Sequence, residues 1–298
     1  MGRRRHGLPL NGWLIIDKAA GASSAQVVAA VRRITGAAKA GHGGTLDPLA
    51  TGVLPIALGE ATKTVSFALD DDKSYRFTVR WGEERTTDDA EGEVAASSAA
   101  RPARAVIEAA LAEYTGDIEQ VPPAFSAIKV QGERAYKLAR HGEILELNPR
   151  TVTVHAFRLI ECPSIDEAVF EVDCGKGTYV RALARDLGRR LGCFGHVVQL
   201  RRTRVGRFSE TGAISLEKLG ELWQCSPPFE HLLPVQTGLD DIPALALTGP
   251  QADRLRSGQS VVVLDAGDGL VCAMHGGRPV ALAQAASGEV RPVRVFNL

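Results

Sequence analysis

The stretch from Gly41 to Pro55 sets one carboxylate, Asp47, between flexible glycines and an apolar run. Gly41, Gly43 and Gly44 permit positive φ and let the backbone approach a ligand closely. Pro48 fixes its own φ and biases Asp47 toward extended geometry, so Asp47 has little conformational freedom and is the candidate catalyst. The competing use of an Asp-Pro pair is a helix start, with Asp47 as the cap and Pro48 at the first position. Two nucleotide-site readings fail on spacing. The third glycine of a dinucleotide fingerprint would fall on Leu46, and Gly175, Lys176, Gly177, Thr178 lacks both the upstream spacing of a P-loop and a hydroxyl next to the lysine.

Charge is the second chemical signal. The formal net charge is zero, yet Gly175 to Arg207 holds nine basic residues against one acidic, Asp186. The rest of the chain is therefore correspondingly acidic. Arg181, Arg185 and Arg189 recur every four residues on one helix face, with Leu183, Leu187 and Leu191 on another that can pack on a core. A second cluster, Arg201, Arg202, Arg204 and Arg207, makes two basic segments from one region, the footprint expected of phosphate contacts. The five cysteines, at 162, 174, 193, 225 and 272, form neither a disulfide framework nor a zinc pattern and read as reduced thiols.

The pattern His42, Gly44, Leu46, Asp47, Pro48, Ala50, Thr51, Gly52, Leu54, Pro55 resembles the signature of the TruB family of tRNA pseudouridine synthases. The resemblance continues through Gly12, Asp17, Lys18, Gly21, Ser23 and Ser24, then Ser74, Tyr75 and Arg76, then Pro122, Pro123, Ser126, Ala127, Lys129, Gly132, Arg134, Ala135 and Tyr136, then Gly175, Gly177, Thr178, Tyr179 and Arg181, and finally Leu200, Arg201, Arg202 and Thr203. Ala19 departs from it, standing where the family usually has Pro after the lysine. The resemblance implies isomerisation of the T-loop uridine (position 55 of tRNA) by base flipping, with Asp47, Tyr75 and Arg181 catalytic and no cofactor or metal. Arg181 would pair with Asp47, and Tyr75 would stack on the uracil. His42 would take the space the flipped base leaves. Tyr179 and Leu200 would line the pocket, Arg201 and Arg202 would bind substrate, and Lys18 would support the loop or a phosphate. The expected partner is the tRNA T-arm stem-loop, with no membrane or obligate protein partner and a monomeric state.

These residues need elements to hold them. Gly12 to Asp17 reads as a strand, Ser23 to Ile34 as a Ser-capped helix, and Tyr75 to Trp81, Val152 to Leu159 and Ala168 to Cys174 as alternating strands. Pro102 to Tyr114 reads as a helix with an apolar stripe of Val106, Ala110, Leu111 and Tyr114. Acidic Glu83 to Glu93 reads as an exposed loop. Mixed elements without a βαβ rhythm favour α+β, and the resemblance narrows this to a mixed, largely antiparallel sheet of the pseudouridine synthase fold. It also makes the basic segment at about 122–150 an RNA-clamping insertion. The catalytic domain then spans 1–240. Short strands split by glycine turns make 241–298 a small β-rich barrel or sandwich, PUA-like and RNA-binding by the resemblance.

With 298 residues and 45% hydrophobic content, the chain can fill a large core and a small one. Arg3, Arg4 and Arg5 precede an apolar stretch interrupted by Asn11 and Asp17, without a cleavage-like site, so the expected location is the cytoplasm. Two rival activities are weighed. A non-catalytic tRNA-folding chaperone would use the same basic segments, and a nucleosidase would use a carboxylate pair that is not evident around Asp47.

Overall fold

The computed structural model describes residues 7–70, 72–126, 128–130, 133–140, 147–225 and 231–298. Arg3 to Arg5 lie outside them, as does part of the expected clamp. In chain order the elements are β1 (Gly12–Lys18), α1 (Ser24–Thr35), β2 (Ala40–His42), β3 (Thr51–Leu58), α2 (Val65–Asp70), β4 (Lys73–Trp81), β5 (Glu83–Arg85) and β6 (Val94–Ser97). Then follow α3 (Arg104–Ala110), β7 (Gly116–Gln120), β8 (Lys129–Val130), β9 (Glu133–Arg134), α4 (Ala135–Arg140), β10 (Arg150–Ser164), β11 (Glu167–Cys174), α5 (Val180–Arg190), β12 (Gly195–Val205) and β13 (Phe208–Ser209). The chain closes with α6 (Leu216–Cys225), β14 (Ala244–Ala246), α7 (Gly249–Arg256), β15 (Val261–Val262), β16 (Gly269–His275), β17 (Arg278–Ala286) and β18 (Glu289–Val295). The architecture is mixed α+β.

The chain folds as two compact units, one of Met1–Pro48, Leu54–Leu69 and Thr211–Leu298, the other of Leu49–Val53 and Asp70–Glu210. In the first, α1 starts where expected. Ser23 and Gln26 form a reciprocal capping box, and Gly36 ends the helix in the left-handed region. Strand β2 pairs antiparallel with the second half of β3, Ala40 opposite Leu58 and His42 opposite Ile56.

Residues from Ala244 onward in this unit form a five-stranded sheet in the order β14-β16-β17-β18-β15. Helix α7, with a Thr248–Gln251 capping box and Pro250 in its first turn, contributes Ala252 and Leu255 to a core with Val271, Val280 and Val290. The expected barrel is realised among the described residues as an open sheet. Its end strands β14 and β15, three and two residues long, pair with β16 and β18 and not with each other.

In the second unit, β12-β4-β11-β10-β7 run antiparallel throughout, while Thr51 and Gly52 of β3 run parallel to Arg201 and Arg202 on the free side of β12. Alternation puts Phe77 of β4 inward, stacked 5.5 Å from Phe170 and 5.9 Å from Phe157. On the opposite face Arg76 pairs with Glu171 and Arg80 with Glu167 across the β4–β11 ladder. Gly52 is required where it stands: its φ is +98° and a Cβ would strike the Arg202 carbonyl oxygen.

Two expectations are corrected. The stripe on α3 is rotated by one residue, because Ile107 fills the core position with Ala110 and Leu111 while Val106 is 54% exposed. The acidic segment 83–93 is an exposed loop only in part, with Thr86, Ala90, Glu91 and Glu93 at the surface. It begins as β5, pairs with β6, and buries Asp88 and Asp89. Their burial follows from what α5 brings to them.

Candidate active site

Asp47 caps no helix. Pro48 and Leu49 bend, and the chain then enters β3 at Thr51. Its rigidity comes from anchors on both sides. Ser24, at the start of α1, accepts from the Leu46 N–H at 2.8 Å and donates to the Leu46 carbonyl at 3.0 Å. On the other side the Pro48 carbonyl accepts from the Gly21 N–H at 2.8 Å and from Lys18 Nζ at 3.1 Å.

Lys18 is only 1% exposed, and its ammonium also donates to the carbonyls of Ala19 at 3.0 Å and Ala22 at 2.6 Å. Of the two roles expected of Lys18, loop support or a phosphate contact, these bonds are of the first kind. Ser24 is the companion anchor that sequence reasoning did not single out for the site. His42 ends β2 at the opposite end of the glycine stretch, and the Gly43 N–H donates to the Pro55 carbonyl at 2.7 Å.

In the second unit, β4 and β12 align Tyr75 with Arg202, Arg76 with Arg201, and Phe77 with Leu200. Tyr75 and Arg202 share one face of the sheet and are hydrogen-bonded to each other. Arg202 is 1% exposed, and its Nε donates to the Val53 carbonyl at 2.9 Å. Burial pulls the Arg202 pKa down, and Tyr75 partly offsets this. Arg201 points to the other face, where it pairs with Glu210. Arg201 and Arg202 therefore lie on opposite faces of the strand, Arg201 beside Glu210 and Arg202 buried beside Tyr75.

Leu200 is inward on the Tyr75 face, and its carbonyl accepts from Thr51 Oγ1 at 3.4 Å. Tyr179 is the N-cap residue of α5. Its N–H donates to Gln120 Oε1 at 2.8 Å, and its carbonyl accepts from Gln120 Nε2 at 3.2 Å.

Helix α5 buries the first half of its basic face, Arg181 and Arg185, and leaves Arg189 and Arg190 exposed. Arg181 is 4% exposed; it donates to the carbonyls of Thr87 at 2.7 Å and Phe125 at 2.9 Å and lies 3.4 Å from Asp89. Arg185 pairs with Asp88 at 3.0 Å, Arg189 with Glu84 at 2.6 Å and Arg190 with Glu113 at 2.6 Å. The acidic segment takes Arg181, Arg185 and Arg189, Glu113 outside it takes Arg190, and with Arg201 on Glu210 at least five of the nine cations face carboxylates within the fold. Burial pushes the Asp88 carboxyl up to about 6, against the pull of Arg185 and Arg181. Hydrogen bonds from Arg189 hold Glu84 below the usual carboxylate range. Asp89 and Asp88, the carboxylates that meet Arg181 and Arg185, were not singled out from sequence; the signal was the match of carboxylates in 83–93 to the arginines of α5.

A model described as TruB family pseudouridylate synthase (N terminal domain) matches residues 32–180, and one described as tRNA pseudouridylate synthase B C-terminal domain matches residues 181–240. The chain is 54% identical over 309 residues to the tRNA pseudouridine synthase B of Caulobacter sp. (strain K31), covering 100% of both chains. It is 55% identical over 304 residues to the protein of that name from Bradyrhizobium diazoefficiens, covering 99% of this chain and 88% of the other. Among solved structures, a Cbf5-Nop10-Gar1 complex matches with TM-score 0.74 and 26% identity, over 100% of this chain and 90% of that one. An H/ACA RNP bound to a substrate RNA shares the fold, with TM-score 0.76 and 24% identity, over 100% of this chain and 92% of that one. Two family models that together match residues 32–240, and 54% identity along the whole of a relative, agree: the chain belongs to the TruB family of pseudouridylate synthases.

Proposed function

We propose that this protein isomerises the T-loop uridine of tRNA to pseudouridine with Asp47 as the catalytic carboxylate. The observation that carries this reading is the anchoring of Leu46 and Pro48, which holds the motif's one carboxylate by fixing the backbone on both sides of it. Relatives named tRNA pseudouridine synthase B, matched along their whole length, support tRNA as the substrate.

The reaction breaks the N1–C1′ bond, forms C5–C1′, releases the C5 proton and protonates N1. It is balanced within the uridine and requires no cofactor. Asp47 attacks C1′, takes a sugar proton or adds to the ring, and each route uses the ionised carboxylate. Arg181 keeps that carboxylate charged and aimed. Tyr75, backed by Arg202, stacks on the uracil, and Leu200 and Tyr179 complete the pocket. The target nucleotide is flipped out of the loop, and His42 fills the space it leaves. Arg201 contributes a cation toward phosphate.

Residues 1–240 act as the catalytic domain, with the segment at about 122–150 closing on the RNA stem. Residues 241–298 act as a PUA-like RNA-binding domain, a reading supported by the exposed Arg254, Arg278 and Arg294 around its five-stranded sheet. No helix among the described residues is long and apolar enough to cross a membrane, and the protein works as a cytoplasmic monomer, where its substrate is found. Nucleoside analysis of an unmodified tRNA transcript after incubation with the protein alone tests the activity. Pseudouridine confined to the T loop is expected; an unchanged transcript that is nonetheless bound and refolded would favour the chaperone.

A further inference from the structure

Helix α5 carries two buried arginines one turn apart, and only Arg181 has a role above. Arg185 is 7% exposed and shares its guanidinium three ways. Nε donates to Asp186 at 2.8 Å, Nη1 to Asp88 at 3.0 Å and Nη2 to the Val121 carbonyl at 2.8 Å. Its partners are chain neighbours of the groups that hold Arg181. Asp88 lies between Thr87, whose carbonyl accepts from Arg181, and Asp89, whose carboxylate faces it. Val121 leads into the segment that ends at Phe125, the second carbonyl acceptor of Arg181.

The placement of Asp88 is unusual in its own right. Its φ of +60° is in the left-handed region, uncommon for a residue with a Cβ though more accessible to Asp than to most, and surrounding contacts hold it there. Here its N–H donates to the Arg85 carbonyl at 3.0 Å, its carbonyl accepts from the Val197 N–H at 3.1 Å, and its side chain meets Arg185. A planar guanidinium has its donors in a rigid fork, so its orientation follows its acceptors.

We propose that Arg185 and Asp88 are a positioning pair for pseudouridine formation: they fix the Thr87 and Phe125 carbonyls and the Asp89 carboxylate, and through these the aim of Arg181. The pair touches no substrate. The inference rests on the reading of Arg181 as the partner of the catalytic carboxylate. It also explains why a costly buried ion pair, weak as a source of stability, is built at the junction of three segments remote in sequence.

The test measures two quantities on one T-arm stem-loop labelled with tritium at uridine C5: the single-turnover rate of release and the dissociation constant. Arg185→Lys and Asp88→Asn are made alone and in an Arg181→Lys background, with thermal melting to establish folding. Each single change is expected to slow release about 10- to 100-fold, the scale of a misplaced catalytic group. Binding should stay within about twofold, and in the Arg181→Lys background the further loss should also stay within about twofold, because a residue acting through Arg181 has no other route.

Losses that multiply independently of Arg181→Lys would overturn the proposal, as would wild-type rates in both variants or weakened binding at an unchanged rate. Asp88→Asn conserves side-chain volume, so it decides the matter where Arg185→Lys does not fold. A wild type that binds the stem-loop without releasing tritium overturns the activity reading and this proposal with it. Wild-type turnover with unaffected variants overturns the positioning role alone.

Discussion

Lys18→Met separates loop support from phosphate binding. Methionine has nearly the length of the lysine stem and replaces the ammonium with apolar atoms, so the carbonyls of Ala19, Ala22 and Pro48 lose their Lys18 donor. The Pro48 carbonyl keeps the Gly21 N–H. Two backbone acceptors thus bear the main loss, at about 1–3 kcal/mol each, or roughly 2–6 kcal/mol in all. For a chain of this size that lowers Tm by roughly 3–10 °C. The functional effect is larger in relative terms, because Pro48 is the residue next to Asp47. A shift of about 1 Å in the carboxylate costs about 10²-fold in rate. Single-turnover release from a stem-loop, measured well below the variant's melting temperature, should fall by about that factor while the stem-loop's Kd holds within about twofold. A variant that turns over at the wild-type rate but binds RNA weakly and with a shallower salt dependence would refute the reasoning and make Lys18 a phosphate contact.

Arg201 and Arg202 should part company on mutation. Arg201→Gln is expected to leave stability nearly unchanged and to reduce the salt slope of RNA binding by about one, whereas Arg202→Gln removes the donor to Val53 and the partner of Tyr75 and should cost about 2–6 kcal/mol in urea unfolding; equal effects would contradict the two-face register. Alkylation of the native protein should label exposed Cys162 and spare Cys174, Cys193 and Cys272, whose thiols burial pushes up to about 12, 11 and 11; rapid labelling of any of these three would contradict their burial. Asp88 and Glu84 should show opposite pH signatures. Asp88, raised to about 6, contributes most below its ordinary value and loses that contribution as pH rises through 6, while Glu84, lowered, contributes above its ordinary value and loses it as pH falls. Urea midpoints relative to Asp88→Asn and Glu84→Gln at pH 4, 5.5 and 7 should therefore drift in opposite directions.

What was legible in the sequence was local. The Ser23 cap, the alternation in β4 and β11, and the Asp47 motif follow from neighbouring residues, and the structure places each element within a few residues of its expected bounds. Tertiary pairing was not legible. Arg181, Arg185 and Arg189 have the periodicity of a solvated face, and only the fold shows that Glu83–Arg85 and the residues after it supply their counter-charges. A charge count along the chain cannot distinguish a cation facing phosphate from one facing a carboxylate far away in sequence. Arg201 and Arg202 were indistinguishable as neighbours until the strand put them on opposite faces. Lys18 reads as an ordinary basic residue at the end of a strand, and the carbonyl cage around it depends on the return of the chain at Pro48.

The central claim is that Asp47 performs a cofactor-free isomerisation. It is tested most directly by tritium release from a C5-labelled T-arm stem-loop in metal-free buffer, comparing the wild type with Asp47→Ala. The account predicts stoichiometric release by the wild type with the base still attached to the RNA, and none by Asp47→Ala at undiminished binding. Release by Asp47→Ala at the wild-type rate, or free uracil as the product, would contradict it.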